Sequence, residues 1–127
     1  MLRYVKFINL AVTDQQRARD FYTGVLGFGV RRDNAFGEGQ RFIELGLPDA
    51  ATTLVLTPQP SVSRGTAPAL YLVDDDVRGS AETYRARGAE IVAEPQSAPW
   101  DPSTIWCWLR DTEGNIVMIQ NGPEEGT

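Results

Sequence analysis

The sequence predicts an α+β fold made of two tandem β-α-β-β-β modules, each a curled mixed sheet with a helix on one face. The same order of strand and helix patterns occurs twice along the 127 residues. The spacing from an aspartate at a helix start to a glycine at its end is also the same in both halves, Asp14 to Gly27 and Asp75 to Gly88. A unit of about sixty residues is therefore repeated, alike in element order rather than in sequence identity.

The first strand and helix are predicted from hydrophobic periodicity. Residues 3–13 are mostly apolar and β-branched, which is typical of a strand. Thr13 or Asp14 then caps a helix, and Thr13 with Gln16 has the spacing of a capping box. One face of that helix is apolar, with members three or four residues apart: Ala18, Phe21, Tyr22, Val25 and Leu26. Gly27 is expected to end the helix.

The remaining elements are predicted in the same way and divide a single domain, residues 1–127, into two modules, a linker and a tail. Module one is predicted over residues 1–57 and closes with three strands, at Phe28–Arg32, Arg41–Leu45 and Thr53–Thr57. Residues 58–68, PQPSVSRGTAP, lack periodicity and are predicted to be a linker. Module two covers residues 69–121 and repeats the order, with Ala69–Val73, a helix from Val77 to Gly88, Ile91–Ala93, Ile105–Arg110 and Ile116–Gln120. Residues 122–127 form a tail.

Composition restricts the partners and the compartment. A formal charge of −5 and a pI near 4.6 argue against nucleic acid and against an anionic membrane surface, both of which need clustered Lys and Arg. A neutral or cationic small molecule fits better. The N-terminal MLRYVKFINL lacks the apolar run of a signal peptide, and no stretch reaches the roughly 18 apolar residues of a membrane span. Cys107 is the only cysteine, so we expect a reduced cytoplasmic protein without disulfides, and Cys107 itself buried between Trp106 and Trp108.

Four stretches in order carry a resemblance to a known superfamily. They are FINLAVTD, RARDFYTGVLGF, DDVRGSAETYRARGAEIV and LRDTEGNIVMIQ, and the resemblance covers residues 3–121. These stretches resemble the glyoxalase, bleomycin-resistance and extradiol-dioxygenase group, the vicinal oxygen chelate superfamily. The resemblance implies sheets that curl into a cup, usually completed or flanked by a homodimer, and in many members a divalent metal held in the cup by His or Glu.

The metal chemistry of that superfamily is not expected here. The positions that the resemblance assigns to metal ligands carry apolar residues: Phe7, Leu56, Ala69 and Met118. The chain contains no histidine at all. Protein sites for divalent metals need several oxygen or imidazole donors that converge on one point. We therefore predict no metal and no cofactor, and metal-dependent glyoxalase or dioxygenase activity is not expected.

Strand alternation predicts what lines the cup instead, because successive side chains point to opposite faces. If Phe7 faces the cup, Val5, Asn9 and Ala11 do too, while Ile8, Leu10 and Val12 face the helix. Alternation in the other strands, together with the two cup positions that the resemblance places at Leu56 and Met118, gives a predicted ligand-binding set: Phe7, Asn9, Phe42, Glu44, Leu56, Ala69, Tyr71, Trp106, Trp108, Arg110 and Met118. Residues 94–104, a loop with three prolines, are predicted to place Trp100 over the rim as a lid.

Simpler roles for these residues stay open. Trp106 and Trp108 are equally suited to a dimer contact and to ligand stacking. Glu44 is more typical of a solvated rim carboxylate, with Arg110 as a possible partner. Asn9 suits a hydrogen bond to a neighbouring backbone group as well as one to a ligand.

Three functions are compatible with this sequence. The first is metal-free binding of a small aromatic or cationic molecule, such as a drug or toxin that is sequestered, as the bleomycin-resistance branch does. The second is a lyase, isomerase or dioxygenase-like enzyme, in which Glu44 and Tyr71 are the only plausible acid–base groups. The third is a dimeric interaction module with a vestigial site. The aromatic lining and the acidic charge favour the first.

Overall fold

The computed structural model describes residues 1–63 and 65–122. The chain divides into two compact units, Met1–Ser63 and Arg64–Thr127. Each unit contains a four-stranded sheet and a helix, in the chain order β-α-β-β-β, so the predicted α+β class and its duplicated module are confirmed. Of the predicted tail, residues 123–127 lie outside the described residues.

The first unit builds a mixed sheet with one parallel pair. Its elements are β1 (Phe7–Val12), α1 (Gln15–Gly24), β2 (Gly29–Ala35), β3 (Arg41–Gly46) and β4 (Thr53–Pro58). The strand order is β1-β4-β3-β2, in which β1 runs parallel to β4 and the other pairs are antiparallel. The helix therefore lies in the connection from β1 to the β2–β3 hairpin.

The second unit repeats this topology. Its elements are β5 (Leu70–Val73), α2 (Val77–Ala86), β6 (Glu90–Ala98), β7 (Asp101–Arg110) and β8 (Ile116–Gln120). The strand order is β5-β8-β7-β6, again with one parallel pair, β5 and β8. In the part of the chain that the structure describes, neither helix is long and apolar enough to cross a membrane.

Aspartates begin both helices. The Asp14 carboxylate accepts a hydrogen bond from the Arg17 backbone N–H at 3.0 Å, and Asp76 accepts one from Gly79 at 3.1 Å. These bonds satisfy amide groups that the helix itself leaves unpaired. Asp14 is thus the cap rather than Thr13, and α1 ends at Gly24, before the predicted Gly27.

A salt bridge shows which face of the first sheet α1 covers. Arg19 of α1 lies 3.2 Å from the Asp33 carboxylate on β2, and Asp33 is paired with Ile43, which is in turn paired with Leu56. This helix-covered face holds most of the core of the first unit: Leu10, Val12, Ile43, Leu45, Leu54 and Leu56, all buried. The predicted inward packing of Ile43 is confirmed. Ile8 lies on the same face, in register with Leu54 as predicted, but it is 43% exposed.

The equivalent face of the second sheet is also buried. Its members alternate along the strands with the site residues described below: Leu70, Cys107, Leu109, Val117 and Ile119. The predicted burial of Cys107 is confirmed. Burial raises the pKa of the Cys107 thiol to about 11, so the thiol stays protonated and unreactive near neutral pH.

Two segments differ from the sequence prediction. The first strand begins at Phe7, and residues 1–6 lie outside any strand. Residues 94–104 are a hairpin rather than a loop, because β6 continues to Ala98 and β7 starts at Asp101. Pro95 is tolerated because β6 is an edge strand whose pairing with β7 is interrupted by three register shifts, and Pro102 lies on β7 before the residues that pair with β8.

The Asp33 carboxylate gives the first unit a pH-dependent element. Arg41 donates to it from Nε at 2.9 Å and from Nη2 at 2.5 Å. These hydrogen bonds hold the pKa of Asp33 below its ordinary value of 3.8, despite partial burial. Because the folded pKa is lowered, the stabilisation is complete above pH 3.8 and is lost as the pH falls through the folded pKa.

We expect Asp33→Asn to lower the free energy of unfolding by about 1 kcal/mol near neutral pH. Urea titration followed by far-UV circular dichroism measures this, since the tryptophans all lie in the second unit. The difference from wild type should shrink as the pH drops below 3.8. A difference that stays constant into strong acid would contradict this assignment.

Candidate functional site

The second sheet brings six of the predicted ligand-binding residues to one face. Tyr71, Met118 and Trp108 are consecutive cross-strand partners on β5, β8 and β7. Side chains in register across a sheet lie on the same side of it. The face opposite the buried core, called here the aromatic face, carries these side chains: Ala69, Tyr71, Val73, Trp106, Trp108, Arg110, Met118 and Gln120.

Two tryptophans form the centre of the aromatic face. The rings of Trp106 and Trp108 have centroids 5.7 Å apart and are tilted by 53°. Both side chains are half-buried. Their indole Nε1 atoms are buried and have no hydrogen-bond partner among the residues that the structure describes. An unpaired buried donor costs roughly 1–3 kcal/mol, so this pair is an unusual feature of the sheet.

The charged residue on the aromatic face is already engaged. Arg110 donates from Nη1 to the Gly114 carbonyl at 2.9 Å, and its Nε lies 3.7 Å from the Glu90 carboxylate. Glu44 likewise has partners within its own unit, Thr53 and Arg32. The pairing of Arg110 with Glu44 stays a prediction.

The first sheet places four other predicted residues on its helix-free face. Phe7 and Phe42 make an edge-to-face contact, with centroids 6.2 Å apart and planes 78° apart. The Asn9 side-chain oxygen accepts a hydrogen bond from Thr57 at 2.9 Å, so Asn9 is satisfied by a side chain rather than by backbone. Glu44 shares that face, because both Glu44 and Asn9 are paired with Val55 on the central strand β4.

The Glu44 carboxylate has two partners on neighbouring strands of the first sheet. One oxygen accepts a hydrogen bond from Thr53 at 2.6 Å, and the other lies 3.8 Å from Arg32. The Glu44 side chain is only 15% exposed. It is therefore a partly buried, paired group and not the solvated rim carboxylate that sequence reasoning favoured.

Leu56 is misassigned by the sequence. It is paired with Leu10 and Ile43 and is 1% exposed, so it lies on the helix-covered face. The residues of β4 that share the face of Phe7 are its neighbours in the alternation: Thr53, Val55 and Thr57. Sequence reasoning missed Thr53, although the threonine–aliphatic alternation of TLVLT contained the signal.

Trp100 lies at the turn of the β6–β7 hairpin and is 73% exposed. Tyr71 is also largely exposed, at 64%. A role for Trp100 as a lid stays a prediction.

A divalent metal does not fit the residues at the positions expected to bind it. Phe7, Ala69 and Leu56 carry no donor atom, and Met118 offers only a thioether, which is a poor ligand for hard cations. Residues 1–63 and 65–122 contain no cluster of three or more His, Cys, Asp or Glu side chains that could hold a metal ion.

Sequence comparison now settles the family. The model of the Glyoxalase/Bleomycin resistance protein/Dioxygenase superfamily matches residues 4–119. The chain belongs to this superfamily. The match covers both units, in agreement with the duplicated fold.

Three relatives illustrate the range of this superfamily. The antibiotic-binding protein TnmS3 from Streptomyces sp. CB03234 is 26% identical, with a TM-score of 0.78 over 96% of this chain and 98% of that one. A superfamily member from Sphaerobacter thermophilus is also 26% identical, with a TM-score of 0.81 over 95% and 98%. The Bacillus subtilis protein YetH, described as uncharacterized, is 25% identical over 94% of this chain and 99% of its own length.

Proposed function

We propose that this superfamily member binds a small aromatic or cationic molecule on the aromatic face, without a metal, and thereby sequesters a drug or toxin. The observation that carries the proposal is the pair Trp106 and Trp108, half-buried, in ring contact and on one face with Tyr71 and Met118. Aromatic and thioether side chains with a few polar groups are the usual composition of small-molecule sites. Large aromatic rings stack readily on planar ligands.

The relatives support a binding role over a catalytic one. TnmS3, whose structure aligns over nearly the whole chain, is described as an antibiotic-binding protein. Of the two acid–base candidates, Glu44 is poorly placed for catalysis, since its carboxylate is already paired with Thr53 and Arg32. A general base has to reach the proton that it removes.

A screen tests the proposed function directly. Purified protein is titrated with aromatic, cationic and glycopeptide compounds while tryptophan fluorescence and thermal unfolding are recorded. A ligand on the aromatic face changes the emission of Trp106 and Trp108 and raises the unfolding temperature. Turnover of a glutathione hemithioacetal or a catechol would show that the protein is an enzyme and contradict the binding proposal. A broad screen in which no compound binds would favour a dimeric interaction module.

Metal independence has its own measurement. We expect elemental analysis of the purified protein to find no stoichiometric Ni, Zn, Mn or Fe, because the expected ligand positions lack donors. EDTA should leave the unfolding temperature unchanged, since chelation destabilises only a protein whose fold binds the ion. A content of about one transition-metal ion per chain would contradict the proposal and favour the alternative that the protein is an enzyme.

We further propose that the protein is a cytoplasmic homodimer. Exposed apolar side chains on the second unit support an interface between copies: Tyr71, Val73, Val92 and Trp100. Stable interfaces commonly bury on the order of 1,600 Å² in total. Light scattering at micromolar concentration distinguishes a dimer from a monomer.

The cytoplasmic location is supported by the single, buried thiol, which agrees with a reducing compartment.

A further inference from the structure

The aromatic face presents hydrogen-bond donors without acceptors to match them. An indole N–H can only donate. Trp106 and Trp108 each have a buried indole N–H with no partner among the described residues. Because the two residues are separated by one position on β7, both donors belong to the same face.

The cross-strand neighbours do not supply the missing acceptors. Trp108 is paired with Met118 on one side and Ala93 on the other, and neither side chain carries an oxygen. Trp106 is paired with Gln120 and Gln96, yet its N–H donates to neither side-chain amide. Neither donor has an acceptor in the sheet, and both nitrogens are buried, so an oxygen from outside the sheet reaches them only when the groups that cover them move aside.

The charges nearby also favour an acceptor over a cation. Arg110 adds a guanidinium, which carries donors only. Glu90 is a carboxylate paired with this face through Arg110, at 3.7 Å. At the N–H edge of the indole rings, a bound ammonium or pyridinium would therefore meet donor groups and a guanidinium, which repel it, and a carboxylate that is already engaged.

We infer that the ligand of the aromatic face is a planar aromatic compound bearing carbonyl oxygens, which accept hydrogen bonds from the indole N–H groups of Trp106 and Trp108. This inference rests on the proposed function and narrows its ligand class from aromatic or cationic to neutral and acceptor-bearing. The rings supply stacking area, and the indole N–H groups select for oxygen. Discrimination of this kind arises because a ligand without the acceptor leaves buried donors unpaired.

A matched pair of probes tests the inference. N-methylacridone and N-methylacridinium share a tricyclic skeleton, but the first carries a carbonyl oxygen and the second a positive charge with no acceptor. We expect N-methylacridone to bind at least about tenfold more tightly, as measured by fluorescence titration. Trp106→Phe and Trp108→Phe keep an aromatic ring and remove the N–H. Each should weaken N-methylacridone binding by about two- to tenfold more than it weakens N-methylacridinium binding.

Indole signals in a ¹H–¹⁵N spectrum give a second readout that does not depend on affinity. The three tryptophans give three indole N–H signals, which the two Phe variants assign. N-methylacridone should move the Trp106 and Trp108 signals downfield, as new hydrogen bonds do, while exposed Trp100 serves as the internal reference.

The possible outcomes separate the inference from the proposed function. Equal or tighter binding of N-methylacridinium, or Phe variants that weaken binding of both probes alike, overturns the inference and leaves aromatic binding standing. Absence of saturable binding by either probe overturns both. Downfield shifts that appear without any ligand as the protein concentration rises overturn the inference as well, because a second copy then supplies the acceptors.

Discussion

Replacing Asp111 with alanine is expected to lower the free energy of unfolding of the second unit by about 3 kcal/mol. Asp111 begins the turn that joins β7 to β8, and its side chain is 7% exposed. One carboxylate oxygen accepts from the backbone N–H groups of Glu113 and Asn115, both at 2.9 Å. The other accepts from the Asn115 side-chain amide at 3.1 Å. Alanine leaves these buried donors without acceptors, and each such donor costs roughly 1–3 kcal/mol.

Urea unfolding followed by tryptophan fluorescence measures this change, because all three tryptophans report on the second unit. The neighbouring residue provides a matched control. The Thr112 hydroxyl is buried with no partner among the described residues, so Thr112→Val should change stability by less than about 0.5 kcal/mol. Asp111→Asn keeps one acceptor oxygen and should fall between the two. An Asp111→Ala variant as stable as wild type would show that the turn does not depend on the carboxylate.

The Asp111 turn also matters for the aromatic face. The turn connects β7 directly to β8. It therefore fixes the register of these two strands, in which Trp108 lies opposite Met118. Gly114 in this turn has a φ of 82°, a conformation that favours glycine, and its carbonyl accepts from Arg110. The turn thus positions both the tryptophan pair and the guanidinium.

The sequence predicts the fold well because the signals that define it are local. Asp14 and Asp76 cap their helices through bonds to residues three places on. The i, i+3, i+4 pattern of α1 places Ala18 and Tyr22 in the core, both 0% exposed. Such signals need no knowledge of what lies across the sheet.

The errors concern non-local pairing. Leu56 was assigned by counting along the chain, but its face depends on the register of β4 against β1 and β3. Glu44 bonds to Thr53 on the adjacent strand, a choice among partners that sequence spacing does not reveal. The hairpin at 94–104 was missed because prolines usually interrupt strands, whereas here register shifts accommodate them.

The unpaired indole N–H groups are a feature that the sequence does not predict. The sequence places Trp106 and Trp108 on one face by alternation, and the cross-strand register agrees with that placement. It contains nothing about whether their N–H groups find acceptors. That depends on the side chains opposite them on β6 and β8, which only the assembled sheet shows.

The Trp106→Ala/Trp108→Ala double variant is expected to lose the stabilisation that a ligand of the aromatic face provides. At a free concentration about one hundred times its dissociation constant, such a ligand raises the free energy of unfolding of the wild-type protein by about 2.7 kcal/mol. The double variant removes both rings, hence the stacking area and the two donors, and the increment should fall close to zero.

The effect is measured as the difference in unfolding free energy with and without ligand within each variant, so the loss of stability caused by the substitutions themselves cancels. Chemical unfolding is followed by far-UV circular dichroism, because the variant lacks two of its three tryptophans. Phe36→Ala is the matched control, since Phe36 is an aromatic residue 63% exposed at the turn between β2 and β3 in the other unit. It should keep the full increment. If the double variant also keeps the full increment, the ligand binds elsewhere on the protein, and Trp106 and Trp108 contribute only to packing.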